Sequence, residues 1–489
     1  MRLWLLLLVA CTSPTSDEIV ETTRGSVRGM RDGDVIAWLG VPYAAPPVGD
    51  LRWDAPQPMP AWDGVRDARS WASSCIEITT AGTLIGGSED CLYLNVWAPA
   101  HAEGLPVLFF IHGGFNLNGA ASHVLAGERV YDGAYIAAHG PAVVVTINYR
   151  LGAFGFFTHD GSGNYAHHDQ LAALQWVHDN IAAFGGDPAR VMVFGESAGG
   201  AATCTLYASP RAAGLMSAAL VESAACFARA NENSAELSAA LATAVGCADV
   251  TCLRAVPADR IATAASIDLA DSFARWGAIV DGDIVPEPPA TAIEAGRHNR
   301  VPLIIGTTSN EYSTLVRNFQ RAPITTDAEY RDAVARFFPG YVDVVIARYP
   351  STSYASPQQA LITLLTDAFM TCPTRRTARA ASTFQPVRRY VFDHTYSNGS
   401  YTALGAGHAM DLPFEFGNLD LAGFMPSAAE RALSDAMIGY WVRFANTGDP
   451  NGAGAPEWPA YDAGDPALAF DDVIASRRGI RTAECDFWD

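Results

Sequence analysis

Short unbroken runs of apolar residues alternate along the chain with stretches of helical periodicity. Residues 107–111, 143–147 and 191–194 are rich in β-branched and aromatic side chains, as is typical of fully buried strands. Between the second and third runs, apolar side chains recur at helical spacing, at Leu171, Leu174, Val177 or His178, and Ile181. This pattern stops at a Gly-Gly pair, residues 185–186, and predicts a helix between two strands.

The same alternation continues beyond these runs. Residues 198–208 are alanine-rich and predict a helix, and residues 218–222 predict a further strand. Repeated alternation of this kind predicts an α/β fold with a large, mostly parallel central sheet and helices on both faces. Neither an internal repeat nor a Pro/Ser-rich linker interrupts the 489 residues, so residues 19–489 are expected to form a single domain.

The first residues differ from the rest. Residues 1–11 contain one arginine and a short apolar run, too short to span a bilayer as a helix, so an export signal is the better interpretation. Its last four residues, Leu-Val-Ala-Cys, resemble the lipobox of bacterial lipoproteins, which implies a lipid on Cys11 and a polar tether over residues 12–18. The lipid would attach the protein to the cell envelope, facing the periplasm or the exterior. A plain signal peptide, with secretion, is the alternative, as is a chance cysteine.

Charge and cysteine content narrow the function classes. The formal net charge of −20 argues against a nucleic-acid or anionic-surface partner. Nine cysteines leave eight beyond Cys11, an even number suited to disulfides in an oxidising compartment. No Cys/His cluster with metal-ligand spacing and no phosphate-binding glycine loop occurs, so neither a metal nor an organic cofactor is expected.

The stretch VFGESAGG, residues 193–200, is the strongest chemical signal. An apolar strand leads directly into Gly-Glu-Ser-Ala-Gly and a helix follows, which is the pattern of a nucleophile elbow. Gly195 and Gly199 would let strand and helix pack closely while Ser197 projects above the sheet. The helix N-terminus behind the serine favours a developing negative charge. The alternative is a serine in a structural turn.

A nucleophilic serine needs a base, and the base needs an orienting acid. His408 lies late in the chain in a glycine-rich loop, where an imidazole can reach solvent. Packing, loop or sheet roles better explain His112, His167, His168, His178 and His394. Glu311 follows the predicted strand 302–305 and is the expected acid. Charge alone does not select it, because Glu196, Glu222 and Asp411 are also plausible carboxylates.

The chain resembles the type-B carboxylesterases, the cholinesterase-like α/β-hydrolases, from about Ile19 to the C-terminus. The segments that carry the resemblance are SEDCLYLNVWAP, IHGGF, NYRLGAFGF, DQLAALQWVHDNIAAFGGDP, VFGESAGG, GTTSNEYS and GAGHAMDLPFEFG. It implies the α/β-hydrolase fold and a serine carboxylesterase that forms an acyl-enzyme on a small-molecule ester. It assigns Ser197 as nucleophile, Glu311 as acid and His408 as base.

The resemblance also implies an oxyanion hole made by the backbone N–H groups of Gly114, Phe115 and Ala198. In the family, HGG is followed by Gly or Ala and then an aromatic residue, whereas here Phe115 and Asn116 follow. A phenylalanine supplies the same backbone N–H, so stabilisation of the oxyanion is retained. Space for a bulky alcohol group is what the change puts in question.

Several structural pairs are implied by the same resemblance. They are the disulfides Cys75–Cys91, Cys247–Cys252 and Cys372–Cys485, and the internal salt bridges Arg52–Glu89 and Arg150–Asp169. Cys204 and Cys226 remain; both fall in apolar surroundings and are interpreted as core thiols, with a fourth disulfide as the less favoured alternative. Ser223 resembles a serine that supports the catalytic hydrogen bonds, and the alternative is a strand-end serine bonded to backbone. Glu196 is a second candidate for such support.

The sequence narrows the substrate class less than it narrows the catalytic residues. The first disulfide loop has no aromatic residue, which argues against a choline-ester specialist. Phe273 and Trp276 resemble the acyl-pocket segment and indicate small to medium hydrophobic esters, with ordinary core packing as the alternative. A non-catalytic adhesion protein of the same fold, or a hydrolase of amides, carbamates or polyesters, is the alternative function. The oligomeric state is not indicated.

Overall fold

A large twisted sheet runs through the protein. The computed structural model describes residues 17–125, 127–226, 232–271, 275–420 and 423–489, so Cys11, the predicted signal peptide and Phe273 lie outside the described residues. The strands, numbered along the chain, are β1 Asp17–Thr22, β2 Gly25–Asp32, β3 Val35–Pro42, β4 Val65–Asp67, β5 Glu77–Ile78, β6 Leu84–Gly86, β7 Tyr93–Pro99, β8 Leu105–Ile111, β9 Val124–Leu125, β10 Glu128–Arg129, β11 Val143–Ile147, β12 Gly186–Glu196, β13 Ala218–Glu222, β14 Leu303–Thr308, β15 Val387–Phe392, β16 Pro466–Phe470 and β17 Ala475–Arg478.

Helices connect most of the inner strands. They are α1 Ala134–His139, α2 Gly152–Phe156, α3 Tyr165–Asn180, α4 Ala198–Ala208, α5 Glu232–Val245, α6 Val250–Ala255, α7 Ala258–Ala264, α8 Pro289–Glu294, α9 Tyr312–Leu315, α10 Asp327–Phe337, α11 Val342–Arg348, α12 Pro357–Thr366, α13 Cys372–Ala381, α14 Leu412–Phe416, α15 Ala428–Thr447 and α16 Thr482–Trp488. None of the described helices combines the length and apolar character that a membrane span requires.

The central strands of the sheet are parallel. Its order is β1-β2-β3-β7-β11-β8-β12-β13-β14-β15-β16-β17, with β4 beside β2. The pairs from β11 to β16 are all parallel, and antiparallel strands extend the sheet at both ends. The predicted α/β-hydrolase architecture with a mostly parallel sheet is therefore confirmed.

Both faces of the sheet are covered. Along β8, Val107 and Phe109 pack into one hydrophobic core and Leu108 into the other, because successive side chains of a strand point to opposite faces. Helices α3 and α4 pack in the first core, and α1 and α15 in the second. The unbroken apolar runs in the sequence follow from this burial on two sides.

The predicted helix before β12 ends close to where its pattern stops. Helix α3 ends at Asn180, and a 3₁₀ turn over Ile181–Phe184 is capped by Gly185 at φ 85°. A positive φ favours glycine, which explains the Gly-Gly stop. Within α3, Val177 is buried and His178 is exposed. Of the two residues that could occupy this position on the apolar face of the helix, Val177 is therefore the one that does.

Four disulfides tie the described chain together. Cys75–Cys91, Cys247–Cys252 and Cys372–Cys485 are present, as the resemblance implies. Cys204 and Cys226 are also joined, with their Cα atoms 5.2 Å apart, so interpreting them as free core thiols was wrong. The bond links α4 to the segment after β13, and sequence reasoning missed it because an apolar setting does not separate a thiol from a buried disulfide. Four disulfides are consistent with an exported protein.

Both expected internal salt bridges are present. The Arg52 guanidinium contacts both carboxylate oxygens of Glu89, at 2.6 and 2.7 Å. Arg150 forms the same kind of bidentate pair with Asp169, and both side chains are buried. Paired geometry of this kind satisfies buried charges that would otherwise be strongly destabilising.

Candidate active site

Ser197 lies at the sharp turn between β12 and α4. Its backbone has φ 58° and ψ −120°, a region that side-chain-bearing residues rarely adopt, and its N–H donates to Glu222 O at 3.0 Å. Strain of this kind is stored where the surrounding structure over-determines the backbone, as at functional sites. The serine itself is half-buried, so its hydroxyl remains accessible.

Close packing explains the two glycines that flank the serine. A Cβ on Gly199 would lie 1.9 Å from Ile111 O, and one on Gly195 would lie 2.6 Å from the same oxygen. Neither position has space for a side chain. Helix α4 therefore approaches β8 closely only because both residues are glycine, which keeps the turn tight.

His408 and Glu311 meet above the carboxyl ends of the parallel strands. Glu311 comes three residues after β14, and His408 lies in the long connection after β15. His408 Nδ1 is 2.6 Å from Glu311 Oε2, and the other carboxylate oxygen accepts the N–H of Thr308 at 2.8 Å. The His408 N–H also donates to Glu311 O at 3.2 Å, so backbone and side chain hold the imidazole together.

The other ring nitrogen of His408 faces Glu196. Nε2 lies 3.0 Å from Glu196 Oε1, and both side chains are almost fully buried. No hydrogen bond joins His408 to Ser197 Oγ among the described residues. Gly113 nevertheless packs against both residues: a Cβ placed on it would lie 2.9 Å from Ser197 Cβ and 3.0 Å from Glu196 Oε2. The serine and the carboxylate that contacts the imidazole therefore lie close together.

Burial and charge together set the ionisation of this region. Burial raises the pKa of Glu196 to about 8, against the opposing effect of His408. Burial lowers the pKa of His408, but the carboxylates of Glu196 and Glu311 outweigh it and raise that pKa to about 9. Proximity of acid and base thus stabilises a protonated imidazole here.

Three further carboxyls lie behind the histidine. Burial raises the pKa values of Glu222 and Glu415 well above the ordinary range, and that of Asp411 to about 7. The Glu222 and Glu415 carboxyls interact with each other, and none of their oxygens accepts a hydrogen bond from another group among the described residues. Two ionised carboxylates would repel each other, so this contact is favourable only when one of the two carries a proton and donates it in a hydrogen bond. Sequence reasoning missed Glu415, although a charged residue within the apolar segment LPFEF was a signal.

Free backbone donors lie beside the serine. The N–H groups of Gly114 and Phe115 donate no hydrogen bond within the described residues. Ala198 is the first residue of α4, so its N–H has no partner inside the helix. Phe115 and Asn116 both have φ 59°, and this bend is held by the hydrogen bond from Gly152 N to Asn116 O.

Two further candidate residues, Ser223 and Trp276, are buried beside the site. Ser223 is fully buried, has φ 48° and donates its N–H to Gly306 O; its hydroxyl has no partner among the described residues. Trp276 lies next to the Phe115 loop, because its carbonyl accepts from Asn116 Nδ2. Its indole is 1% exposed and donates to Ala265 O, so it packs as a core residue in this structure.

Comparisons with known proteins identify the family of the chain. The chain matches the carboxylesterase family over residues 16–488. It is 37% identical over 466 residues to the para-nitrobenzyl esterase of Bacillus subtilis, covering 91% of this chain and 92% of that protein. It is 32% identical to the fumonisin B1 esterase of Sphingopyxis macrogoltabida, covering 98% and 92%.

Solved structures give the same result. A para-nitrobenzyl esterase structure superimposes with a TM-score of 0.85 at 34% identity, covering 97% of this chain and 100% of that one. A carboxylesterase of Geobacillus stearothermophilus also has a TM-score of 0.85 at 34% identity, covering 96% and 100%. The chain therefore belongs to the carboxylesterase family and is a carboxylic-ester hydrolase of the α/β-hydrolase fold.

Proposed function

We propose that Ser197, His408 and Glu311 hydrolyse carboxylic esters through an acyl-enzyme. The observation that carries the proposal is the 2.6 Å contact from Glu311 Oε2 to His408 Nδ1, beside the strained turn that presents Ser197. Glu311 accepts a hydrogen bond from Nδ1–H, which holds the tautomer in which Nε2 acts as the base.

The reaction proceeds in two halves. Ser197 Oγ attacks the ester carbonyl carbon while its proton passes to His408 Nε2. The tetrahedral intermediate collapses, the bond from carbon to the alcohol oxygen breaks, and the alcohol takes the proton from Nε2. Water then attacks the acyl-serine with the same proton transfers, releasing the carboxylic acid and restoring Ser197.

The unpartnered N–H groups of Gly114, Phe115 and Ala198 are proposed to bind the oxyanion. They are already oriented by the bent 114–116 segment and by the start of α4, so little reorganisation accompanies the reaction. His408 is proposed to exchange its Nε2 contact from Glu196 to Ser197 Oγ when a substrate binds, since catalytic hydrogen bonds are often long before substrate arrives.

Small to medium hydrophobic esters are the proposed substrates. Relatives named para-nitrobenzyl esterase, medium-chain fatty acyl-CoA hydrolase and fumonisin B1 esterase indicate a family range of ester sizes. Phe115 is proposed to limit the alcohol side. The segment that holds Phe273 and Trp276 is proposed to bound the acyl side, because the Trp276 carbonyl accepts from Asn116 Nδ2 while its indole supports this segment from the core.

Export is proposed to use residues 1–11, with a lipid on Cys11, a tether over residues 12–18 and a single catalytic domain over residues 19–489. The four disulfides support the export step, because such bonds persist in oxidising compartments. Metabolic labelling with a palmitate analogue tests the anchor: label lost in Cys11→Ser and retained in Cys204→Ser supports it, and label retained in Cys11→Ser contradicts it.

Hydrolysis of p-nitrophenyl acyl esters of increasing chain length tests the catalytic proposal. Ser197→Ala is expected to reduce kcat by at least about a thousandfold. Ser353→Ala, at an exposed serine in the turn Ser351–Ser353, is the control and is expected to keep the wild-type kcat. A phosphonate ester that labels Ser197 with loss of its leaving group supports the nucleophile, whereas full activity in Ser197→Ala contradicts it.

A further inference from the structure

A second group of ionisable residues lies at the carboxyl ends of β15 and β16. These strands are parallel neighbours, with Phe392 opposite Phe470. His394 follows β15, and Asp471 and Asp472 follow β16, so strand pairing brings the imidazole beside two carboxylates that are distant in the chain.

One ring nitrogen of His394 is already engaged. Nε2 lies 3.2 Å from Glu430 Oε1, and the two side chains are 4% and 1% exposed. Glu430 also accepts hydrogen bonds from Ser397 and Ser427. Glu430 Oε1 accepts the N–H of Ser397 at 2.8 Å, and Glu430 Oε2 accepts the N–H of Ser427 at 2.7 Å, so this carboxylate is held in place. Because Nε2 contacts this carboxylate, Nδ1 is the ring nitrogen that remains to bind a metal ion.

The other nitrogen faces the two aspartates. His394 Nδ1 lies 3.2 Å from Asp472 Oδ1 and 3.8 Å from Asp471 Oδ1, and it makes no hydrogen bond among the described residues. The three ligand atoms lie within 4.8 Å of one another. Two carboxylate oxygens this close to one imidazole nitrogen form a ligand set for a divalent cation.

The neighbouring charges do not supply that cation. Arg477 is the nearest described cationic partner of these aspartates, and it contacts the other oxygen of Asp471, Oδ2, at 3.6 Å. Its stronger pair is with Asp393 Oδ2 at 2.6 Å. The space between His394 Nδ1 and the two Oδ1 atoms therefore receives no arginine nitrogen from this pair.

We propose that His394, Asp471 and Asp472 bind a divalent transition-metal cation of the Zn²⁺ type. A tetrahedral Zn²⁺ with bonds of about 2.0–2.1 Å separates its ligand atoms by roughly 3.4 Å, close to the two separations from Nδ1. One imidazole nitrogen with two carboxylate oxygens suits Zn²⁺ better than Ca²⁺, which takes oxygen ligands. Glu430 completes the arrangement, since metal-binding histidines donate their other N–H to a carboxylate or carbonyl.

The position of the site suggests its role. The chain that leaves β15 passes through His394 and then continues to His408, while Glu430 lies in the first turn of α15. A cation here joins the base of the His408 loop, the end of β16 and the start of α15. Water would complete the coordination on the exposed side, because Asp472 is 78% exposed.

Zinc titration of the purified chain without an added histidine tag tests the site. Calorimetry at pH 8 is expected to give one Zn²⁺ per chain, with an increase in Tm and much weaker Ca²⁺ binding. Asp472→Asn is expected to weaken Zn²⁺ binding about tenfold or more. Asp420→Asn, whose side chain is 80% exposed and has no histidine beside it, is the matched control and is expected to bind like the wild type.

His394→Gln is a second variant, expected to lose the Zn²⁺-dependent rise in Tm. If it fails to fold, Asp472→Asn decides alone, because an exposed substitution leaves the fold intact. Absence of Zn²⁺ binding overturns the proposal. Binding that persists unchanged in Asp472→Asn also overturns it, since the metal would then occupy another group such as His408 and Glu196.

Discussion

Glu196 Oε1 lies 3.0 Å from His408 Nε2, the ring nitrogen that the proposed mechanism uses as its base. Glu311 holds the other ring nitrogen at 2.6 Å. The imidazole is therefore placed between two carboxylates, only one of which is the proposed orienting acid. The second carboxylate stabilises the protonated ring, so it influences the pH at which the base becomes available.

Replacement of this second carboxylate is expected to move the pH profile. Glu196→Gln removes a charge that raises the pKa of His408 from its ordinary value toward about 9. The ring then loses its proton at lower pH, so the acidic limb of kcat/KM is expected to shift down by roughly 1 unit or more. The measurement is kcat/KM for p-nitrophenyl butyrate between pH 5 and 10.

Glu236→Gln, on an exposed face of α5, is the control for a general charge effect and is expected to leave the profile unchanged. An acidic limb that stays in place or moves upward in Glu196→Gln contradicts the assigned electrostatic role.

The buried Glu222–Glu415 pair predicts a pH-dependent stability. Both carboxyls have raised pKa values because they are buried, so the folded state binds protons that the unfolded state releases. Their favourable contribution is complete below the ordinary glutamate pKa and is lost as pH rises toward the folded-state values. Glu415→Gln keeps a neutral hydrogen-bonding group.

The free energy of unfolding of Glu415→Gln, relative to wild type, is therefore expected to increase by about 1 kcal/mol or more between pH 5 and pH 9. Urea unfolding at several pH values measures it. The same comparison with Glu236→Gln should show no trend, and a relative stability of Glu415→Gln that falls with pH would falsify the shared-proton interpretation.

The disulfide between Cys204 and Cys226 predicts a measurable loss of stability on removal. It closes a loop of 22 residues, whereas Cys247–Cys252 closes one of 5. Loop entropy then predicts a cost of about 3 kcal/mol for Cys204→Ala/Cys226→Ala and about 2 kcal/mol for Cys247→Ala/Cys252→Ala. Urea unfolding compares the two variants. Alkylation of Cys204 and Cys226 in the unreduced, denatured protein contradicts the bond.

Phe115 predicts a change in alcohol specificity. Its backbone has φ 59°, which glycine adopts without strain, so Phe115→Gly is expected to fold normally while removing the ring. The ratio of kcat/KM for a tert-butyl ester to that for the ethyl ester is expected to rise severalfold. Phe115→Ala, which loses the ring but keeps the backbone strain, should show the same direction, and an unchanged ratio in both variants excludes Phe115 as the limit.

The local features of this protein can be predicted from short stretches of its chain. The strand, turn and helix around Ser197 and the glycine stop after α3 follow from hydrophobic period, backbone geometry and glycine placement, which are encoded within a few residues. The parallel sheet follows from the same alternation. Glu311 could also be proposed, because it follows a buried strand, and the family resemblance selected it among several carboxylates.

Contacts between residues that are distant in the chain depend on the fold as a whole. The order of strands from β12 to β16 brings Glu196 to His408, Glu222 to Glu415, and His394 to Asp471 and Asp472. No periodicity or spacing in the sequence identifies any of these contacts, and none identifies the Cys204–Cys226 disulfide. The contacts of the carboxylates and histidines arise because parallel strands end at one edge of the sheet, where side chains far apart in the chain come together.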